Sequence, residues 1–232
     1  MMTSPLVSQT LFHLGPLPIS HAVATTWLLM LLLAGGSALL TRRLRLRPSR
    51  RQAALELLVG TLDEQIRSTL QTEPARYRPL FGSLFLFILA ANWASLLPGL
   101  EPPTATLETD TALALIVLVA SIGYGIASQG LRGYLRTFAE PSWVMIPLNI
   151  VEQLTRTFSL IVRLFGNIMS GVFVVGLALS LAGLLVPIPF MALDLLTGAI
   201  QAYIFSVLAM VFVAAAIHGH TPPPSSKESS HG

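Results

Sequence analysis

Long apolar stretches alternate with short polar segments along this chain, and the two longest stretches stand near its C-terminal end. A helix needs about 20 mainly apolar residues to cross a bilayer core about 30 Å thick. Five stretches have lengths near or above this value: 21–40, 80–97, 111–128, 143–186 and 190–217. The pattern therefore predicts five membrane-crossing helices.

The segment 53–70 has a different pattern. Its apolar residues recur every three or four positions, with charged residues between them. This periodicity is typical of an amphipathic helix, and the segment carries too many charges to span a membrane. We expect it to lie along the membrane surface or against a partner, and we expect the proline-containing stretch 74–79 to end it.

The stretch 143–186 is too long for an upright crossing. A continuous helix of about 44 residues would measure about 66 Å, because the rise is about 1.5 Å per residue. The helix must therefore be tilted, broken or partly outside the membrane. Pro187-Ile188-Pro189 is the expected turn to the last stretch, so the last two crossings should form a long tilted hairpin.

Composition agrees with a membrane protein. Hydrophobic residues make up 53% of the chain and charged residues only 11%, whereas soluble domains have about 45–50% and about 25%. We expect an all-α polytopic fold with one integral membrane domain over 1–218. The residues 219–232 combine Pro, Ser and few apolar side chains, which predicts a disordered tail.

The charged residues indicate how the chain is oriented. Six arginines stand close together between 42 and 51, and Arg132 and Arg136 follow the third span. Basic clusters beside spans mark the cytoplasmic side. The acidic loop with Glu101, Glu108 and Asp110 fits the outside, so the N-terminus should be outside and the C-terminus inside. The arginine cluster also suits binding to anionic lipid head groups. No aromatic residues alternate with the arginines, so the cluster does not indicate a nucleic-acid site.

Arg163 is the most unusual residue because it lies in the middle of a long apolar helix. An arginine at the bilayer centre costs at least about 2.5–3.5 kcal/mol, so such a residue is a candidate functional site. Four polar residues share its face at helical spacing: Arg156, Ser159, Asn167 and Ser170. The alternatives are an interfacial residue whose long stem reaches the membrane surface and one half of a static buried ion pair.

Two polar residues also share a face of the last helix. Asp194 and Gln201 are seven positions apart, which places them on one side. Asp194 is a candidate ion relay, or a polar residue satisfied by a neighbouring helix. Glu152 and Arg156 form an i,i+4 pair that contributes tenths of a kcal/mol when exposed, or they line a channel wall.

The sequence gives little sign of catalysis or cofactors. There are no cysteines, which excludes disulfides and cysteine metal sites. His218 and His220 are weak evidence for a metal, so we expect no metal and no cofactor. No Gly-Lys-Ser/Thr phosphate loop is present, so any nucleotide chemistry belongs to partner chains.

Several motifs together resemble subunit a of F-type ATP synthases, the stator of a membrane ion motor. The central one is Arg-Leu-Phe-Gly-Asn at 163–167, with Ser-Leu before it and Ser170-Gly171 after it. Further similar segments stand in the family's order at 92–99, 103–105, 147–152 and 200–205. The resemblance spans about residues 81–218.

The resemblance implies a non-catalytic subunit that couples proton flow to rotation of a c-subunit ring. Arg163, Asn167, Asp194 and Gln201 would then carry ion translocation, while Ser159, Ser170, Glu152 and Arg156 are possible half-channel lining. Implied partners are the c ring, the subunit b stalk, other Fo and F1 subunits and membrane lipids, in a bacterial inner membrane. No nucleic acid is expected.

One departure from the family's pattern leaves alternatives open. The family often has a second ionisable residue at the position of Val172, which is apolar here. Sodium therefore remains an alternative to the proton as the coupling ion. A self-contained secondary transporter or channel is the competing interpretation, and it predicts ion flux through the purified protein alone.

Overall fold

The computed structural model describes residues 10–14, 17–42, 50–96, 102–139, 145–182 and 186–218. Helices dominate this part of the chain, and short 3-10 turns stand at Pro74–Arg76, Ala94–Leu96 and Pro103–Ala105. The helices are α1 (His21–Thr41), α2 (Arg50–Leu70), α3 (Arg78–Trp93), α4 (Leu107–Ala139), α5 (Met145–Ala182) and α6 (Pro187–His218). The predicted disordered tail, 219–232, and most of the first arginine cluster lie outside the described residues.

The predicted all-α polytopic membrane fold is confirmed. The helices α1, α4, α5 and α6 are long and apolar enough to cross a membrane, and α3 is a shorter apolar helix of 16 residues. At about 1.5 Å per residue, α3 spans about 24 Å. The 3-10 turn after Trp93 extends it within the predicted second span.

A short β-hairpin precedes α1, and the pattern of apolar stretches did not predict it. Strand β1 (Thr10–Leu14) pairs antiparallel with β2 (Leu17–Ser20). The register places His13 opposite Pro18. Proline is tolerated in strands at sheet edges, and each strand of a two-stranded sheet is an edge.

The amphipathic helix α2 is confirmed, and it packs against its own chain. Ile66 and Leu70 are fully buried. Asp63 accepts two hydrogen bonds of 2.6 Å from Arg78 at the start of α3. At the other end, the His218 ring nitrogen donates to the Leu70 carbonyl oxygen at 2.8 Å. These contacts join α2 to α3 and α6.

The hairpin of α5 and α6 differs from the expectation at its turn. The helix α5 is continuous over 38 residues, or about 57 Å, which is longer than a bilayer core of about 30 Å. Pro187 and Pro189 do not form the turn but lie in the first turn of α6. Proline suits this position because the first helical N–H groups have no helical partner.

The helix α4 is interrupted at Gly130, and the residue before this break is hydrogen-bonded to the last turn of α6. Gly130 has φ 73° and ψ 162°, a region that is essentially restricted to glycine. The preceding residue, Gln129, donates from Nε2 to the carbonyl oxygens of Ala216 (3.1 Å) and Ile217 (2.7 Å). These carbonyls lie in the last turn of α6, where helices leave acceptors without helical partners.

The centre of the bundle is α6, which contacts α2, α3, α4 and α5. Within the chain 44% of α6 is buried, compared with only 11% of α5. One side of α5, marked by Leu160, Leu164 and Ile168, is fully packed into the core. The rest of α5 is available to lipid or to a partner.

Candidate functional site

Arg163 lies on the exposed side of α5. Ser159, Gly166 and Ser170 are exposed with it. Within the described residues, Arg163 forms no hydrogen bond or ion pair. The alternative of a static buried ion pair therefore does not apply to this part of the chain, and the guanidinium is free to meet a group from outside it.

Asn167 connects this exposed side to the core. It lies one helical turn beyond Arg163 and beside the buried residues Leu164 and Ile168. Its Nδ2 atom is buried without a hydrogen-bond partner among the described residues. Leaving a buried donor unpaired costs about 1–3 kcal/mol. A hydrogen-bond acceptor from outside the described residues, such as water or a group of a partner subunit, would remove this cost.

Asp194 is half-buried against α5 and α3. Its carboxylate lies directly over Gly171, where an added Cβ would stand 2.7 Å from Cγ and 3.1 Å from Oδ2. Ser95 donates to Oδ2 at 3.2 Å. The Ser95 hydrogen bond is what the alternative of a polar residue satisfied by its neighbours predicts. The position of the carboxylate also requires a glycine at 171, because any side chain there would collide with it.

A buried asparagine holds the neighbourhood of Asp194 together. Asn92 is 3% exposed; its Nδ2 donates to the Gly198 carbonyl at 2.9 Å, and its Oδ1 accepts from Thr104 at 3.1 Å. Its carbonyl oxygen accepts from Ser95 at 2.7 Å. Sequence reasoning did not place Asn92, Ser95 and Thr104 in the site, although Asn92 is the one strongly polar residue of its span.

The contact between Gly171 and Asp194 sets the register of the hairpin. In an antiparallel pair, counting the same number of residues away from this contact brings Arg163 level with Ala202, beside Gln201. Gln201 is 6% exposed, and its Nε2 is buried without a partner among the described residues. Arg163 and Gln201 therefore lie at about the same level along the two helices, and no hydrogen bond joins their side chains.

Glu152 and Arg156 form the predicted pair nearer the start of α5, and the guanidinium also stands 5.6 Å from the ring of Phe212. Both side chains are more than 40% exposed, so the pair contributes little to stability. A cavity of about 80 Å³ lies beside it. Its polar lining comes from α4 and α5 and includes Ser121, Gln153 and Thr157.

Asp110 differs most from its expected surroundings. The sequence predicts an acidic loop on the outer side, but Asp110 is 0% exposed in the first turns of α4. Neither carboxylate oxygen has a hydrogen-bond partner among the described residues. The expectation was wrong because α4 begins at Leu107 and carries Asp110 onto the same buried face as Ala114 and Val117.

One of the two histidines considered as weak metal candidates, His218, has a structural contact. His218 contacts the Leu70 carbonyl, as described above, whereas His220 lies outside the described residues. Among the residues that were described, no group of three or more His, Asp or Glu side chains is placed to hold a metal ion.

Comparisons with known proteins agree over nearly the whole chain. The family model of the ATP synthase A chain matches residues 23–214. ATP synthase subunit a 2 of Bradyrhizobium sp. (strain BTAi1) is 52% identical over 94% of this chain and 97% of its own length. ATP synthase subunit a 1 of Chlorobaculum tepidum is 50% identical over 89% and 94%, and ATP synthase subunit a of Albidiferax ferrireducens 45% over 92% and 94%.

Proposed function

The chain belongs to the ATP synthase subunit a family, and we propose that it is the stator subunit that couples proton flow to rotation of a c-subunit ring. The observation that carries the proposal is the guanidinium of Arg163, which lies on the exposed side of α5 and has no partner among the described residues. An arginine in an apolar span is costly, and nothing in the described chain offsets that cost. A carboxylate on the rotor is a partner of the required charge.

The mechanism follows from the cost of charge in lipid. A rotor carboxylate crosses hydrocarbon only when it is neutral, by protonation or by ion binding. Arg163 stays charged at any working pH and favours the ionised form of an acid that comes near it. The rotor carboxylate therefore releases its proton beside Arg163. The fixed positive charge also repels cations and so separates the two half-channels.

Asp194 is the relay of the outer half-channel in this proposal. Its half-buried carboxylate, which accepts a hydrogen bond from Ser95 and packs over Gly171, supports a relay of protons toward the level of Arg163. Asn167 and Gln201 carry buried amide nitrogens without partners in the described chain. These amides would order water beside the arginine.

The cavity beside Glu152 and Arg156 is the candidate for the inner half-channel. It lies between α4, α5 and α6, and the buried Leu160, one turn before Leu164, is part of its lining. The charge pattern places this end on the cytoplasmic side. Ser159 and Ser170, exposed on the same side of α5 as Arg163, would line the path to the rotor.

In the assembled enzyme, residues 1–218 act as one membrane domain without catalytic chemistry of their own. The N-terminus lies outside and the C-terminus in the cytoplasm. The exposed side of α5 faces the c ring, and other surfaces contact the subunit b stalk and membrane lipid. Nucleotide chemistry belongs to F1 subunits.

Replacement of Arg163 tests this function. In inverted membrane vesicles with the assembled complex, Arg163→Ala should abolish ATP-driven ion pumping and ion-driven ATP synthesis. The matched control is Arg132→Ala, which removes an exposed arginine of α4 and should pump at the wild-type rate. Undiminished pumping by Arg163→Ala would refute the proposal.

Sodium is the alternative coupling ion, because the position of Val172 carries no ionisable group. Pumping assays with and without added Na⁺, in the presence of a proton uncoupler, separate the two ions. Proton coupling predicts collapse of the gradient by the uncoupler and no requirement for Na⁺. Pumping that needs Na⁺ and persists with the uncoupler would assign sodium.

A further inference from the structure

Asp110 carries a buried carboxylate that the mechanism above does not use. The side chain is 0% exposed, and neither oxygen has a partner among the described residues. Burial of an unpaired carboxylate is far more costly than burial of a neutral polar group. Such a group needs a proton, a cation or water.

The first register argument concerns α4 and α5, which run antiparallel. The Nε2 atom of Gln153 donates to the Ser121 hydroxyl at 3.4 Å, which fixes one pair of opposite positions. Counting the same number of residues away from this pair along both helices brings Asp110 level with Leu164. Asp110 and Ser121 also share one face of α4, because eleven residues make about three turns. That face is the one toward α5.

The second argument concerns α4 and α6, which run parallel. A Cβ on Gly125 would stand 3.0 Å from the carbonyl oxygen of Ala216, so these two positions are neighbours. Counting back equally along both helices from this contact brings Asp110 level with Gln201. The stretch of α4 concerned lies before the break at Gly130, so the helical count is regular.

The third contact joins α5 and α6 and gives a check on the other two registers. Gly171 opposite Asp194 places Leu164 level with Gln201, in agreement with the other two registers. Three independent contacts therefore bring Asp110, Gln201 and the turn of α5 with Arg163 and Asn167 to one level of the bundle.

The chemistry of the groups at this level is complementary. In the part of the chain that the structure describes, Asn167 Nδ2 and Gln201 Nε2 are buried donors without partners, and the Asp110 oxygens are buried acceptors without partners. No hydrogen bond joins them within the described chain. Buried polar groups are nearly always paired with protein or water. One hydrated cation among them satisfies the carboxylate, and its water accepts from the amides.

We propose that Asp110 is a second ion-relay residue, which with Asn167 and Gln201 binds the translocated monovalent cation inside the bundle, behind the exposed side of α5 that carries Arg163. This inference rests on the proposed function and supplies the ionisable group that is missing at Val172. A proton arriving from Asp194 forms an O–H bond on the Asp110 carboxylate. That bond breaks when the proton passes to the rotor carboxylate, and no other reactant is required. For Na⁺ the same oxygens act as ligands, with no covalent step.

The test compares Asp110→Asn with Glu108→Gln, which alters an exposed acid in the same first turns of α4. In vesicles with equal amounts of assembled complex, Asp110→Asn should lower ATP-driven pumping about 100-fold or more, the lower end of the contribution typical of a proton-transfer group. Glu108→Gln should leave the rate unchanged, and Asp110→Glu should restore part of it. Repeating the assay with Na⁺ plus uncoupler decides which cation is bound.

A second measurement reports access of ions rather than rate. The chain has no cysteine, so Asp110→Cys creates a single thiol, and cysteine tolerates burial as a small apolar residue. Ag⁺, an ion-sized reagent, should react with this thiol and block its later alkylation, as read by mass spectrometry of the subunit. The control Leu113→Cys, at a position 6% exposed in apolar surroundings, should stay unreacted.

The outcomes separate the two proposals. Wild-type pumping by Asp110→Asn, with Arg163→Ala inactive, would overturn the role of Asp110 and leave the stator function intact. Equal protection of the thiols at 110 and 113 from Ag⁺ would also overturn it. Normal pumping by Arg163→Ala would refute the proposed function itself.

Discussion

Gly171→Ala should slow ion transport by moving a single carboxylate. The added Cβ would stand 2.7 Å from Asp194 Cγ and 3.1 Å from Oδ2, and closer still to Oδ1. Van der Waals contacts of this kind are about 3.4–4 Å, so the carboxylate must rotate or the helices must separate. Either movement breaks the 3.2 Å hydrogen bond from Ser95.

The size of the effect follows from this bond. A hydrogen bond to a charged group contributes about 1.5–3 kcal/mol, and about 1.4 kcal/mol corresponds to a factor of ten. If Asp194 relays the ion, Gly171→Ala should reduce ATP-driven pumping about tenfold or more. Gly176→Ala is the matched control, because no atom lies within 4 Å of a Cβ at that position of the same helix.

A double-mutant cycle identifies the cause. In an Asp194→Ala background the added methyl group meets no carboxylate, so Gly171→Ala should cause no further loss of rate. Contacting residues are expected to be non-additive in this way. Equal rates for Gly171→Ala and wild type, or an unchanged effect of Gly171→Ala without the Asp194 carboxylate, would contradict the reasoning.

Four further substitutions, of which Gly123→Ala is a control, are checked by thermal unfolding of the purified protein in detergent. Asn92→Leu leaves the Thr104 hydroxyl and the Gly198 carbonyl without their buried partner, and it should lower the free energy of unfolding by about 1–3 kcal/mol. Gly130→Ala should cost about 1–3 kcal/mol because its φ is positive, whereas Gly123→Ala, in open helical space, should stabilise by up to about 1 kcal/mol. Equal losses for Gly130→Ala and Gly123→Ala would contradict the requirement for glycine at the break in α4. Glu152→Gln, in an exposed pair, should change the free energy of unfolding by no more than about 1 kcal/mol.

The helices were predictable because each has a local signal. Apolar length indicated the spans, and the three-and-four spacing indicated α2. The turn between α5 and α6 was misplaced because the prolines at 187 and 189 act at a helix start as well as in a loop. The β-hairpin was missed because its strands have only five and four residues, too few for a clear local pattern.

The site was predictable where one residue conflicts with its surroundings. Arg163 and Asp194 are charges in apolar helices, so the sequence alone singled them out. The partners of Asp194 were not accessible in this way, since Ser95 and Gly171 come from other helices and depend on packing across the bundle. Asp110 was misassigned for the same reason: in sequence it resembles a loop acid, and only its neighbours bury it.

The most direct test of the central claim is the position of the Arg163 guanidinium in an experimental structure of the assembled ATP synthase. The proposal predicts that it faces the rotor ring, within about 4–6 Å of an acidic side chain on the nearest rotor helix, the range in which an opposite charge shifts ionisation. A guanidinium that faces lipid, or stands far from every rotor helix, would contradict the account.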